Sequence, residues 1–122
     1  MFAFNPLLNS DYLQEIYGDD LTIVQIMFES FLDDNMPIWE KISEEINNKN
    51  YKAVGEMAHQ VKPSFSMVGL TFLHPKLQDF ETFAKSNPDG TELQKRFETL
   101  AVEINHAKLV IKDELKRLNE FI

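Results

Sequence analysis

About thirty residues at the end of the chain carry one apolar stripe: Leu93, Phe97, Leu100, Ile104, Ala107, Ile111, Leu115, Leu118 and Ile122. The steps alternate between four and three over about four heptads, so a helix gathers these side chains on one face where a strand would scatter them over two. Such a helix cannot bury its stripe alone. It needs either a second copy in a coiled coil or other amphipathic helices of the same chain.

The rest of the sequence favours the second solution. Val24, Phe28, Phe31, Ile38 and Ile42, helped by Leu21, Met27 and Leu32, form a stripe that keeps its phase across Pro37. That pattern predicts one long helix, capped by Asp19 or Asp20 and distorted at Pro37, where a backbone donor is lost and the carbonyl of Asp33 is crowded. Tyr51, Val54, Ala58, Val61, Phe65 and Val68 predict a helix from about Asn50 to Met67, with Gly69 suited to a left-handed exit. Leu73, Leu77, Phe80 and Ala84 mark another helix, with Thr71 as its cap. After the turn Asn87-Pro88-Asp89-Gly90, Thr91 is the expected cap of the last. A short helix capped by Ser10 and ended by Gly18 precedes them, and Phe2, Phe4 and Leu7 are expected to pack the lead-in onto the body. The expectation is all-α: residues 1–122 as one domain, an antiparallel up-down four-helix bundle with a short extra N-terminal helix.

Composition excludes several classes. The 43% hydrophobic content, with ten Phe and one Trp, can fill a real core, while four Gly and five Pro are few for a turn-rich β protein. A net charge of −8 argues against nucleic acid, which needs a basic face, and is read as a source of solubility. There is no cysteine, hence no disulfide or thiolate metal site. No apolar run approaches the ~20 residues of a membrane span, and no basic-then-apolar leader opens the chain. A complete, cytoplasmic, monomeric protein without a membrane partner is the expectation.

The informative stretch is Met57-Ala58-His59-Gln60-Val61-Lys62-Pro63-Ser64-Phe65-Ser66-Met67-Val68-Gly69. At about 100° per residue, His59 lies roughly 135° from the middle of its helix's stripe and should face water. Gly55, Glu56, Lys62, Pro63 and Ser66 surround it at helical spacings, an open setting with a cation one turn on. His106 also falls on the outer side of its helix, and His74 precedes Pro75 near a helix start; both read as surface residues.

His59-x-x-Lys62-x-Ser64, followed by Gly69, resembles the signature of histidine phosphotransfer (HPt) domains, where His-x-x-Lys-Gly-Ser is usual and a further glycine lies ten residues after the histidine. The resemblance extends to chain length, helix pattern and the place of the histidine. It departs at one position, where Pro63 replaces the usual glycine. The resemblance implies an HPt-like bundle that carries a phosphoryl group in a two-component phosphorelay. His59 would accept it from a phospho-aspartate of a receiver domain and pass it to another receiver. Lys62 would offset the phosphoryl charge. The partners would be response-regulator receivers and a hybrid sensor kinase. No cofactor would be resident, since Mg²⁺ belongs to the receiver, and the protein would be a carrier and not an enzyme in its own right.

The residues suggest further roles at the site. Gly55 and Ser66 keep bulk low beside the imidazole. Ser64, about 140° round the helix from His59, is placed to act on helix geometry or on a neighbouring contact and not on phosphate. Docking would use the face between the first long helix and the histidine helix, with Met57 or Met67 as apolar contacts. Two other readings compete. The bundle could be an adaptor that binds a signalling partner without phosphorylation. Alternatively, Glu56-x-x-His59 and Glu103-x-x-His106 have the spacing of carboxylate-bridged di-metal bundles, but that chemistry needs inward-facing ligands and both histidines fall outward.

Overall fold

The structure, a computed structural model, describes residues 1–122, and they are helical with no strand. The helices are α1 (Ser10–Tyr17), α2 (Leu21–Ser30), a π turn (Phe31–Asn35), α3 (Met36–Glu40), α4 (Ile42–Asn47), α5 (Tyr51–Met67), α6 (Leu73–Ala84) and α7 (Gly90–Phe121).

From α2 to α4 the chain follows one helical path that absorbs Pro37 without breaking. Ahead of the proline the helix widens, and the amide of Met36 bonds five residues back to the carbonyl of Phe31. Backbone angles at Ser30, Phe31, Asn35 and Met36 all stay right-handed helical. Widening adds a residue to the turn and so rotates the inward face. Phe31 is followed inside by Met36 and Trp39, and Ile38, expected to face inward, is only half-buried. A tight bond from the amide of Lys41 to the carbonyl of Ile38 takes the extra residue back, and Ile42 and Ile46 return to the core.

Cross-helix pairs fix the arrangement. Between α2–α4 and α7, Gln25 meets Asn119 and Glu40 meets Lys108 at 3.0 Å. Between α6 and α7, Lys76 meets Glu103 at 2.7 Å, and the Arg96 guanidinium lies over Phe83. Phe31 packs edge-on to Phe65 of α5, with centroids 5.0 Å apart. Numbers on α2–α4 and on α6 fall as those on α7 rise, which makes both pairings antiparallel, as in an up-down bundle. Trp39 fills its middle, stacked on Phe97 at 4.8 Å and edge-on to Phe80 at 5.7 Å.

The helix starts differ from those expected. Asn9, not Ser10, caps α1 by accepting from the amide of Tyr12. Asp20 caps α2. Asp89, not Thr91, caps α7 and accepts from the amides of Thr91 and Glu92. Thr71 caps nothing, since its hydroxyl accepts from the Asn9 side chain and α6 opens through a tight turn. Along α7 the stripe is interrupted. Glu114 is buried and Leu115 only half so, while Ile122 is exposed. Glu114 accepts from the amide of Asn5 at 3.0 Å and pairs with Arg117, whose other nitrogen donates to the carbonyl of Ala3. An acid on the apolar face thus ties down the N-terminal segment, alongside Phe2 and Phe4, which pack against the core as expected.

Gly69 ends α5 at φ 85°, with the amide of Leu70 reaching back to the carbonyl of Phe65 at 2.8 Å. Its own carbonyl accepts from the amide of Asn9, and a Cβ there would stand 3.0 Å from Leu13 and 3.2 Å from Leu8. Gly69→Ala therefore meets both a left-handed backbone penalty of about 1–2 kcal/mol and a crowded contact. Thermal unfolding should show Tm lowered by several degrees, and an unchanged Tm would refute this account of the exit.

Candidate functional site

His59 lies near the middle of α5, with its side chain 66% exposed. Turning away from the apolar stripe, it leans toward α6, the neighbour with which α5 has its most extensive contact. The ring meets a residue there that no motif had marked. Nδ1 of His59 lies 3.1 Å from Oε2 of Glu81, whose residue is only 5% exposed.

Glu81 is the centre of a charged cluster. Lys85 Nζ donates to Oε2 at 2.8 Å and Lys62 Nζ to Oε1 at 2.9 Å; Lys62 also donates to Gln78. Burial by itself would push the Glu81 carboxyl up. The hydrogen bonds and charges of Lys85 and Lys62 outweigh that and hold it at about 2, against an ordinary 4.5. Glu81 is therefore a carboxylate at any physiological pH, with oxygens that only accept. Its contact with His59 then assigns the ring proton to Nδ1, and in the neutral ring leaves the lone pair on Nε2. Two ammonium groups against one carboxylate also leave a local positive balance beside the ring, in a chain of net charge −8.

Gly55 makes the cluster sterically possible. It is buried, and a Cβ there would stand 2.7 Å from Cγ of Lys85. The lysine stem crosses α5 over this glycine to reach Glu81, so the space beside the histidine that the missing side chain leaves is filled by α6. Lys62 points the same way, and its side chain is 11% exposed.

The remaining motif residues lie elsewhere. Pro63 is exposed one turn beyond His59, and α5 runs through it unbroken. Ser64 donates its hydroxyl to the carbonyl of Val61 at 2.5 Å, a bond internal to the helix. Ser66 is half-buried, and its carbonyl accepts from the amide of Gly69 at the helix exit. Met67 is exposed and Met57 packs against the core. Ile23 and Ile26 of α2 are exposed as well. His106 is exposed and His74 half-buried. Glu103 is engaged by Lys76, so the two Glu-x-x-His pairs do not converge, and no three acids or histidines gather where a metal could be held.

Glu81, Lys85 and Gln78 lie outside the motif, which is confined to one helix. A signal did exist. Glu81 stands four residues after Leu77 and three before Ala84, on the edge of an inward stripe where an acid needs a partner, and Lys85 follows at the i,i+4 spacing.

The family model described as Hpt domain matches residues 26–121. No curated protein and no solved structure matches the chain.

Because its carboxyl is depressed when folded, Glu81 contributes stability that is fully present above about pH 4.5 and lost as pH falls toward 2. The difference corresponds to about 3 kcal/mol between those limits. Denaturant unfolding at a series of pH values should show this loss in the wild type and a flatter profile in Glu81→Gln. Equal slopes would count against the charged cluster.

Proposed function

The chain belongs to the Hpt domain family, and on that premise we propose that His59 is its phosphoryl carrier, taking the group from a receiver-domain phospho-aspartate and passing it to a second receiver. The observation that carries the reading is the paired ring. An exposed imidazole on a rigid helix has its Nδ1 engaged by an ionised carboxylate, which leaves Nε2 as a nucleophile toward solvent.

Uptake needs little beyond positioning. The Nε2 lone pair attacks phosphorus in line with the aspartyl oxygen, the P–O bond breaks, and its electron pair leaves on the receiver's carboxylate. Lys62 and Lys85 supply positive charge where the phosphoryl oxygens would sit. Since Lys85 and the ring nitrogen share Oε2 of Glu81, that ammonium lies within about 6 Å of the ring. The chain acts as a carrier, with Mg²⁺ and the acidic pocket contributed by the receiver. The docking face in this scheme runs along α5 through His59, Pro63 and Met67, exposed residues that recur every four positions. A hybrid sensor kinase is the upstream source in this scheme.

A receiver mixed with its phosphodonor, Mg²⁺ and this protein should transfer label to the wild type and none to His59→Gln. Label persisting in that variant would move the site elsewhere. Lys62→Met should slow labelling roughly tenfold, through lost charge stabilisation, without abolishing it. An unchanged initial rate would remove Lys62 from the phosphoryl's surroundings.

A further inference from the structure

Glu81 does more than choose a tautomer for the free ring. In becoming phosphorylated on Nε2, a ring that keeps its Nδ1 proton becomes a cation. Such a cation is stabilised by a carboxylate in direct contact and less so by a neutral acceptor. The charged groups around the ring are few. Glu81 and Lys85 approach from α6, Lys62 and Glu56 lie one turn away on α5, and no ion pair reaches α5 from the π turn, α3 or α4. Both lysines donate to Glu81. An arriving phosphoryl group offers them new oxygens, which leaves more of the carboxylate's charge for the ring.

We propose that Glu81 is a positioning residue for the outgoing step, holding the proton on Nδ1 of the phosphorylated ring so that His59 departs as a neutral imidazole. The proposal rests on His59 being the carrier. In hand-over, an aspartate oxygen of the receiving partner bonds to phosphorus, the Nε2–P bond breaks, and its electron pair returns to Nε2. The Nδ1 proton stays where it was. Uptake and hand-over together then take up and release no proton. Had Nδ1 lost its proton to water in the meantime, the leaving group would be an imidazolate anion, far poorer than the neutral ring. Glu81 thereby makes the stored phosphoryl group transferable across the neutral pH range, where an unassisted ring would titrate.

The test compares wild type with Glu81→Gln, each phosphorylated by a small phosphoramidate and then mixed with an unphosphorylated receiver and Mg²⁺ between pH 6 and 9. The receiver's own pH dependence cancels in the ratio of the two rates. That ratio should rise with pH, approaching about tenfold per unit once the variant's ring loses its proton. Parallel profiles would overturn the proposal. Nitrogen-15 NMR of the phosphorylated wild type gives a readout that does not depend on the variant folding. Its Nδ1 should keep the proton about one pH unit or more beyond a phosphohistidine peptide, and coincident titrations would also overturn the proposal. Failure of the wild type to form phosphohistidine at His59 would instead overturn the carrier reading, and this inference with it.

Discussion

A carboxylate almost without water sits between two helices, and three nitrogens from both of them converge on it. Glu81 would be costly to bury alone, because desolvation opposes its charge. Lys62 of α5 and Lys85 of α6 make the burial tolerable, and His59 takes a further direction of its second oxygen. The geometry is demanding on both sides. Lys62 and His59 are one helical turn apart on α5, and Glu81 and Lys85 one turn apart on α6, so only one register of α5 against α6 satisfies all four. The same cluster that sets the ring's proton thus also fixes how two helices lie against each other. Removing either lysine leaves a buried carboxylate under-paired, and removing Glu81 leaves two lysines without their partner, so each residue matters more than its single contact suggests.

What surrounds the cluster serves to hold these two helices still. Gly55 lets the Lys85 stem pass over α5, and the stem covers the backbone that the glycine leaves bare. On the opposite side of α5, Phe65 is held edge-on by Phe31, the first residue of the π turn. The bulge that accommodates Pro37 also brings Trp39 inward onto Phe80 and Phe97. Phe80 is the residue before Glu81, so the aromatic centre of the core anchors α6 directly beneath the charged cluster. The site's electrostatics and the packing of the bundle meet at two consecutive residues of one helix.

Much of this was legible without coordinates, and the parts that were not share a cause. The stripes of α5, α6 and α7 predicted the helices, and a period of 3.6 residues placed His59 outside, because both depend on one helix at a time. Glu81 escaped since its role appears only when α6 is laid against α5, and an acid beside a stripe reads as edge polarity. A constant period across Pro37 puts Ile38 inside, whereas the backbone inserts an extra residue there and then removes it. Residue type favours Ser10, Thr71 and Thr91 as caps, yet Asn9 and Asp89 occupy the extended backbone positions from which a side chain can reach the first free amides. Glu114 was invisible for the reason that hid Glu81: its partners are the backbone of Asn5 and a side chain that also grips Ala3, more than a hundred residues away.

Pro63 stands at the glycine position of the signature that the motif resembles, and its exposure explains why the helix tolerates it. The lost amide would have bonded to the carbonyl of His59, on the solvent side of α5, where water can replace it. A proline on the buried side would have stranded a carbonyl in the core. The consequence falls on the partner instead. Glycine would offer bare backbone one turn beyond the histidine, whereas this chain offers a rigid, uncharged ring that extends the apolar surface toward Met67. Proline has no side-chain freedom to lose on contact, so covering it costs little ordering entropy. In the proposed transfer, a receiver approaching His59 would meet a firmer and less polar rim on the Pro63 side and the two lysines on the α6 side. Under the proposed carrier role, that asymmetry would favour an approach with the phosphoryl group on the side of the lysines.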